Sequence, residues 1–114
     1  MNGHFQTGTE EGTGSAINVS MGYIPDYVKV FNEDGADHVV MEWVRSMGDG
    51  KGFKWVESTG TSHDFVSTNG ISAYAGTDSV AEGFTIGADS DLNAADETLH
   101  WIAGRNEARD YDDI

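Results

Sequence analysis

Short runs of alternating apolar and polar residues, each closed by glycine or a polar turn, recur along the chain. Ile17, Val19 and Met21 alternate with Asn18 and Ser20 until Gly22 breaks the run, and Pro25 fixes the chain ahead of the next one. Val28 and Val30 then share one face, with Tyr27, Lys29 and Phe31 on the other, and Asn32-Glu33-Asp34-Gly35 closes the strand. The strongest pattern runs from His38 to Met47: Val39, Met41 and Trp43 point one way, Val40, Glu42 and Val44 the other. The glycine-rich stretch Met47–Gly52 leads into a return strand, Phe53-Lys54-Trp55-Val56, so the two predict a hairpin. Asp64–Ser67 and Ile71–Tyr74 read as short strands around a Thr68-Asn69-Gly70 turn. Gly83–Gly87 and Thr98–Ala103 are two more, separated by the acidic loop Ala88–Glu97.

Seven or eight short antiparallel strands at this spacing predict an all-β, single-domain β-sandwich of jelly-roll or lectin-like form. Helical periodicity is weak everywhere, with Asn93–Glu97 the sole short candidate. The 15 glycines fit, because tight turns need positive φ. Trp43, Trp55, Phe84 and Trp101 stand in alternating segments and are assigned to the core. Residues 1–114 form one domain with its core at about 12–103, an N-terminal arm at 1–11 and an acidic C-terminal tail at 104–114.

Charge narrows the partners. Against 20 Asp and Glu stand 6 Lys and Arg, a formal net charge of −14. Such a surface repels phosphate backbones and anionic lipid, so neither nucleic acid nor membrane is expected as a partner. Solubility and adaptation to salt explain acidity of this kind, and complementarity to a basic partner patch is the sharper alternative. No apolar run spans a bilayer, and the first residues lack a signal peptide's basic and apolar regions, so synthesis in a cytoplasm without export is expected. The absence of cysteine removes disulfides, thiolate metal sites and a Cys nucleophile. A small chain without such staples often gains stability by oligomerising.

Candidate chemistry is sparse. Asp89, Asp91, Asn93 and Asp96 offer oxygen ligands at spacings that resemble a calcium loop, yet Ala94 and His100 stand where an EF-hand needs glycine and glutamate. An acidic turn capped by its own side chains is the favoured reading, with no metal and no cofactor. His63-Asp64 invites a catalytic dyad, but no nucleophile elbow accompanies it, and no enzyme activity is expected. Gly8–Gly14 and Gly48–Gly52 lack the features of a phosphate cradle and read as turns. Tyr23, Tyr27 and Tyr74 flank turns and are the aromatics expected to be exposed for partner binding.

Two stretches carry a resemblance. Gly22-Tyr23-Ile24-Pro25-Asp26-Tyr27-Val28-Lys29-Val30 comes early. Gly83-Phe84-Thr85-Ile86-Gly87-Ala88-Asp89-Ser90-Asp91-Leu92-Asn93, running on to Glu97-Thr98-Leu99-His100-Trp101-Ile102-Ala103, comes late. Together they resemble small β-sandwich domains of tailed-phage structural proteins, although Ala95-Asp96 stands where that pattern often has glycine. The resemblance implies a capsid decoration (cement) protein on the exterior of a virion. Such a protein binds the major capsid protein or other virion proteins, often as a homo-oligomer, and stabilises the shell. The alternative it implies is a tail- or fibre-associated module binding a glycan or receptor. Arg105, Arg109 and Tyr111, beyond the sandwich pattern, are expected to anchor the tail on a neighbour.

Overall fold

The computed structural model describes residues 5–34, 38–57 and 61–106. Its strands are β1 (Phe5–Glu11), β2 (Ile17–Ser20), β3 (Tyr27–Asn32), β4 (His38–Val44), β5 (Lys51–Glu57), β6 (Thr61–Tyr74), β7 (Gly83–Ile86) and β8 (Thr98–Gly104). Among the described residues the only helical turn is a 3-10 turn at Arg45–Met47, so Asn93–Glu97 forms no helix. No helix there is long and apolar enough to cross a membrane.

The all-β, antiparallel expectation holds. The strands join in one eight-stranded sheet, ordered β1-β8-β3-β4-β5-β6-β7-β2, and the sheet curls into a half-barrel. Strands β3 to β7 form a meander of consecutive neighbours; β8 returns beside β3, β1 adds to β8, and β2 adds to β7. Alternation explains the curl. Val28 and Val30 of β3, Val39, Met41 and Trp43 of β4, and Leu99, Trp101 and Ala103 of β8 all turn to one side and are buried. Val19 of β2, Ile71 of β6, and Phe84 and Ile86 of β7 bury the matching face of the other end. The two ends meet where Phe84 sets its ring edge-on to Trp101, with centroids 5.3 Å apart.

The curl turns at a corner inside β6. Its first part pairs with β5 as far as Gly52↔Val66, and the next pair is Lys51↔Ile71. Ser67–Gly70 therefore has no partner on β5, and the predicted Thr68-Asn69-Gly70 turn is a bend within one strand. Asn69 takes a left-handed φ of 61°, which its short polar side chain tolerates. The backbones crowd together here: the Gly70 N–H donates to the Gly50 carbonyl at 3.0 Å, and the Gly87 N–H to the Gly70 carbonyl at 2.9 Å.

The N-terminal arm is corrected in part. Residues 5–11 form β1, paired with β8 from Phe5↔Gly104 to Glu11↔Thr98. Gly8 is thus a strand residue, not a turn; it lies opposite Trp101, whose indole would stand 2.6 Å from any Cβ placed there. An edge strand can afford the polar sequence that hid it.

The acidic loop folds under the core. Leu92 is buried, and Asn93 works on both sides of the chain. The Asn93 Oδ1 accepts the Thr13 N–H at 2.9 Å, while its Nδ2 donates to the carbonyls of Ser15 at 2.7 Å and Gly87 at 2.9 Å. Asp96, where the resembled pattern often has glycine, adopts the left-handed φ of 68° that glycine favours.

Candidate functional site

The outward face of β3 to β6 follows from register. One row runs Phe31, Val40, Trp55, His63, and the next runs Lys29, Glu42, Phe53, Phe65. The solvated face of an antiparallel sheet is ordinarily polar. This one is aromatic, with Trp55 45% and Phe65 67% exposed. The rings are ordered by one another. Trp55 stacks on His63 at 4.9 Å with planes 18° apart, and Phe65 meets Phe53 edge-on at 5.0 Å.

A hollow of about 380 Å³ opens beside Trp55, lined by Lys29, Phe31, Val40, Glu42, Phe53 and Trp55. Shallower hollows flank it at His38 and His100, about 360 Å³, and at Val44 and Phe65, about 340 Å³. The carboxylate in the first of these is held in place, and its one ammonium sits over a ring face. The Tyr27 hydroxyl donates to Glu42 Oε2 at 2.7 Å, and the Lys29 ammonium lies 5.3 Å from the centre of the Phe31 ring. Burial, then the hydrogen bond to Glu42 and its charge, push the Tyr27 phenol up to about 12.

The assignment of Trp55 to the core is corrected: it faces outward, whereas Trp43, Phe84 and Trp101 are buried. Lys54 explains the inversion. In Phe53-Lys54-Trp55 the polar residue suggests a solvent face, yet Lys54 points inward and is paired with Asp89 at 2.9 Å and Asp91 at 2.7 Å. The register of the hairpin was the usable signal, since a partner of the outward Val40 must itself face outward.

Other predicted site residues lie elsewhere. Tyr23, expected to be exposed, is buried in the core at 6% exposure, with the Arg105 guanidinium 4.4 Å above its ring. Tyr27 and Tyr74 are half-buried, and of the two only Tyr27 borders the aromatic face. Arg109 and Tyr111 lie outside the described residues. Asp89 is buried and caps its own loop, its Oδ1 accepting the N–H groups of Asp91 and Leu92 at 3.0 Å each. Lys54 answers the carboxylates of Asp89 and Asp91, and Asn93 spends its amide on backbone. Among the described residues no cluster of three His, Asp or Glu side chains could hold a metal ion. His63 and Asp64 are strand neighbours that point to opposite faces, and His63 is committed to Trp55.

Two groups tie stability to alkaline pH. Burial alone would push the Lys54 ammonium down, but its hydrogen bonds to Asp91 and Asp89 outweigh that and hold it above its ordinary value. A raised folded value, for Lys54 as for Tyr27, means stabilisation fully present below the unfolded value and lost as pH rises through the folded one. The melting temperature should therefore hold through neutral pH and fall from about pH 10 upward. Tyr27→Phe should flatten part of that fall, as measured by circular dichroism across the alkaline range. Among known proteins no family model, curated protein or solved structure matches this chain.

Proposed function

We propose that this protein works by docking rather than catalysis, as a capsid decoration protein that seats its outward aromatic face on the shell of a phage particle. The observation that carries the docking is the exposure of Trp55 and Phe65 on one face, large apolar rings ordered by His63 and Phe53 while open to solvent. Rings presented rigidly in this way are the usual anchors of protein interfaces, because little conformational freedom is lost when they are covered. The polar groups nearby add to the same surface: the Tyr27 hydroxyl is bonded to Glu42, and the His63 ring lies flat against Trp55. The phage assignment rests on the resemblance of the Gly22–Val30 and Gly83–Ala103 stretches, and self-association on the shell belongs to the same proposal.

Tail-less heads stripped of this protein and mixed with it provide the test. Wild-type protein should rebind in hundreds of copies per head. A Trp55→Ser, Phe65→Ser double variant should bind at least about tenfold more weakly while keeping the folded β-sheet signal of the wild type in circular dichroism at the assay temperature. Binding to heads that ignores both substitutions would remove the aromatic face from the function. A few copies confined to tails would replace decoration by the tail-associated alternative.

A further inference from the structure

We propose that the hollow beside Trp55 is a seat for a cationic side chain of the partner protein, an arginine above all. This rests on the outward face being the docking surface and adds the chemistry of what it receives.

The seat is built from ring faces and one fixed carboxylate. His63 covers one side of the Trp55 indole, and Trp55 also lines the hollow, with Phe31 and Phe53 as the other rings. Aromatic faces carry the negative part of the ring quadrupole and attract cations, indole most strongly. Glu42 belongs to the same hollow, and the Tyr27 hydroxyl holds its Oε2 at 2.7 Å, while its second oxygen, without a partner among the described residues, is available to an incoming N–H. A planar guanidinium can stack on indole while donating along its edge to a carboxylate, which an ammonium cannot do as well.

The chain already places one cation here. Lys29, the register partner of Glu42, carries its ammonium over the Phe31 ring at 5.3 Å. A partly exposed lysine on a flexible stem can yield that place to a better-fitting guanidinium, and until it does it competes. Overall charge selects what this face receives: at −14 the chain attracts a basic partner surface. Glu33 in the adjoining hollow and the exposed Glu57 on β5 add to that field.

The full chain, labelled with nitrogen-15, is titrated with acetylated tetra-arginine amide while the indole N–H signal of Trp55 is followed. A saturable shift is expected. Trp55→Leu (followed at Phe53 instead) and Glu42→Gln should each weaken binding about tenfold, whereas removing the competitor by Lys29→Met should tighten it about threefold. Asp78→Asn, in a distant exposed loop, should change little. Equal losses from Asp78→Asn and Glu42→Gln would mean diffuse attraction and overturn the seat. So would weakening by Lys29→Met, or a saturable Trp55 shift with chitotriose but not tetra-arginine, which would assign the hollow to a glycan. Concentration-dependent shifts of Trp55 without any peptide would assign it to a second copy. If tetra-arginine fails while heads still take up the protein through Trp55 and Phe65, the cation seat falls and the docking face stands.

Discussion

Gly70→Ala is expected to remove much of the stability of this protein, although it adds one methyl group. The Cβ would lie 2.6 Å from the carbonyl carbon of Lys51 and 2.8 Å from the carbonyl oxygen of Gly50, both backbone atoms with no rotamer to escape into. Relief would require pulling β5 away from β6 at the corner and losing the bond from the Gly70 N–H to the Gly50 carbonyl. Overpacking of this kind, with a backbone hydrogen bond at stake, costs at least about 3 kcal/mol. A domain of this size holds roughly 5 to 15 kcal/mol in total. Gly14→Ala provides the contrast. Gly14 has a φ of 80° but nothing among the described residues within 4 Å of an added Cβ, so the left-handed backbone penalty applies, about 1 to 2 kcal/mol. Urea unfolding should rank the two variants in that order. The reverse ranking would mean that the corner can open without cost.

The second large effect belongs to Lys54→Met. The Asp89 side chain is 9% exposed and Lys54 16%, so the pair is largely withdrawn from water, while Asp91 at 43% is not. Removing the ammonium strands the Asp89 carboxylate beneath the sheet, whereas Asp91 simply rehydrates. Breaking a buried pair from one side costs about 3 to 5 kcal/mol. The low end applies here, because Asp89 keeps the N–H groups of Asp91 and Leu92 as donors. Adding Asp89→Asn to Lys54→Met should restore most of the loss, since the amide oxygen still caps the loop and no buried charge remains. If the double variant unfolds at the same urea concentration as Lys54→Met alone, the loss comes from the lysine's packing and not from its charge.

That pair also marks where sequence alone ceases to be informative. Alternation with period two places Val28 and Val30, then Val39, Met41 and Trp43, on one buried face, and the β4–β5 hairpin follows from the glycine-rich turn between its strands. Each of these depends on neighbours close in the chain. Trp55 does not. Its orientation makes sense once Lys54 is seen to be neutralised by Asp89, 35 residues away. Tyr23 is hidden for a related reason, because the cation that covers it, Arg105, comes from the far end of the chain. Strand β1 shows little apolar alternation, since its edge position demands little, and the β6 corner resembles a turn because Asn69-Gly70 has turn chemistry. The aromatic face is legible only as far as Phe31 and Val40; Trp55, His63 and Phe65 join it through pairing register.

The order of the strands also governs how the chain must assemble. β1 and β2 are separated by residues 12–16, yet they occupy opposite margins of an eight-stranded sheet. A flat sheet of that width would hold its margins seven interstrand spacings apart, about 34 Å. The six steps from Glu11 to Ile17 reach about 21 Å at full extension. A flat sheet is therefore forbidden by the chain's own length: β1 and β2 can both be zipped only after β3 to β8 has bent. The short connector acts as a drawstring, and nicking it between Gly14 and Ser15 would slow closure of the half-barrel and leave its margins free to part.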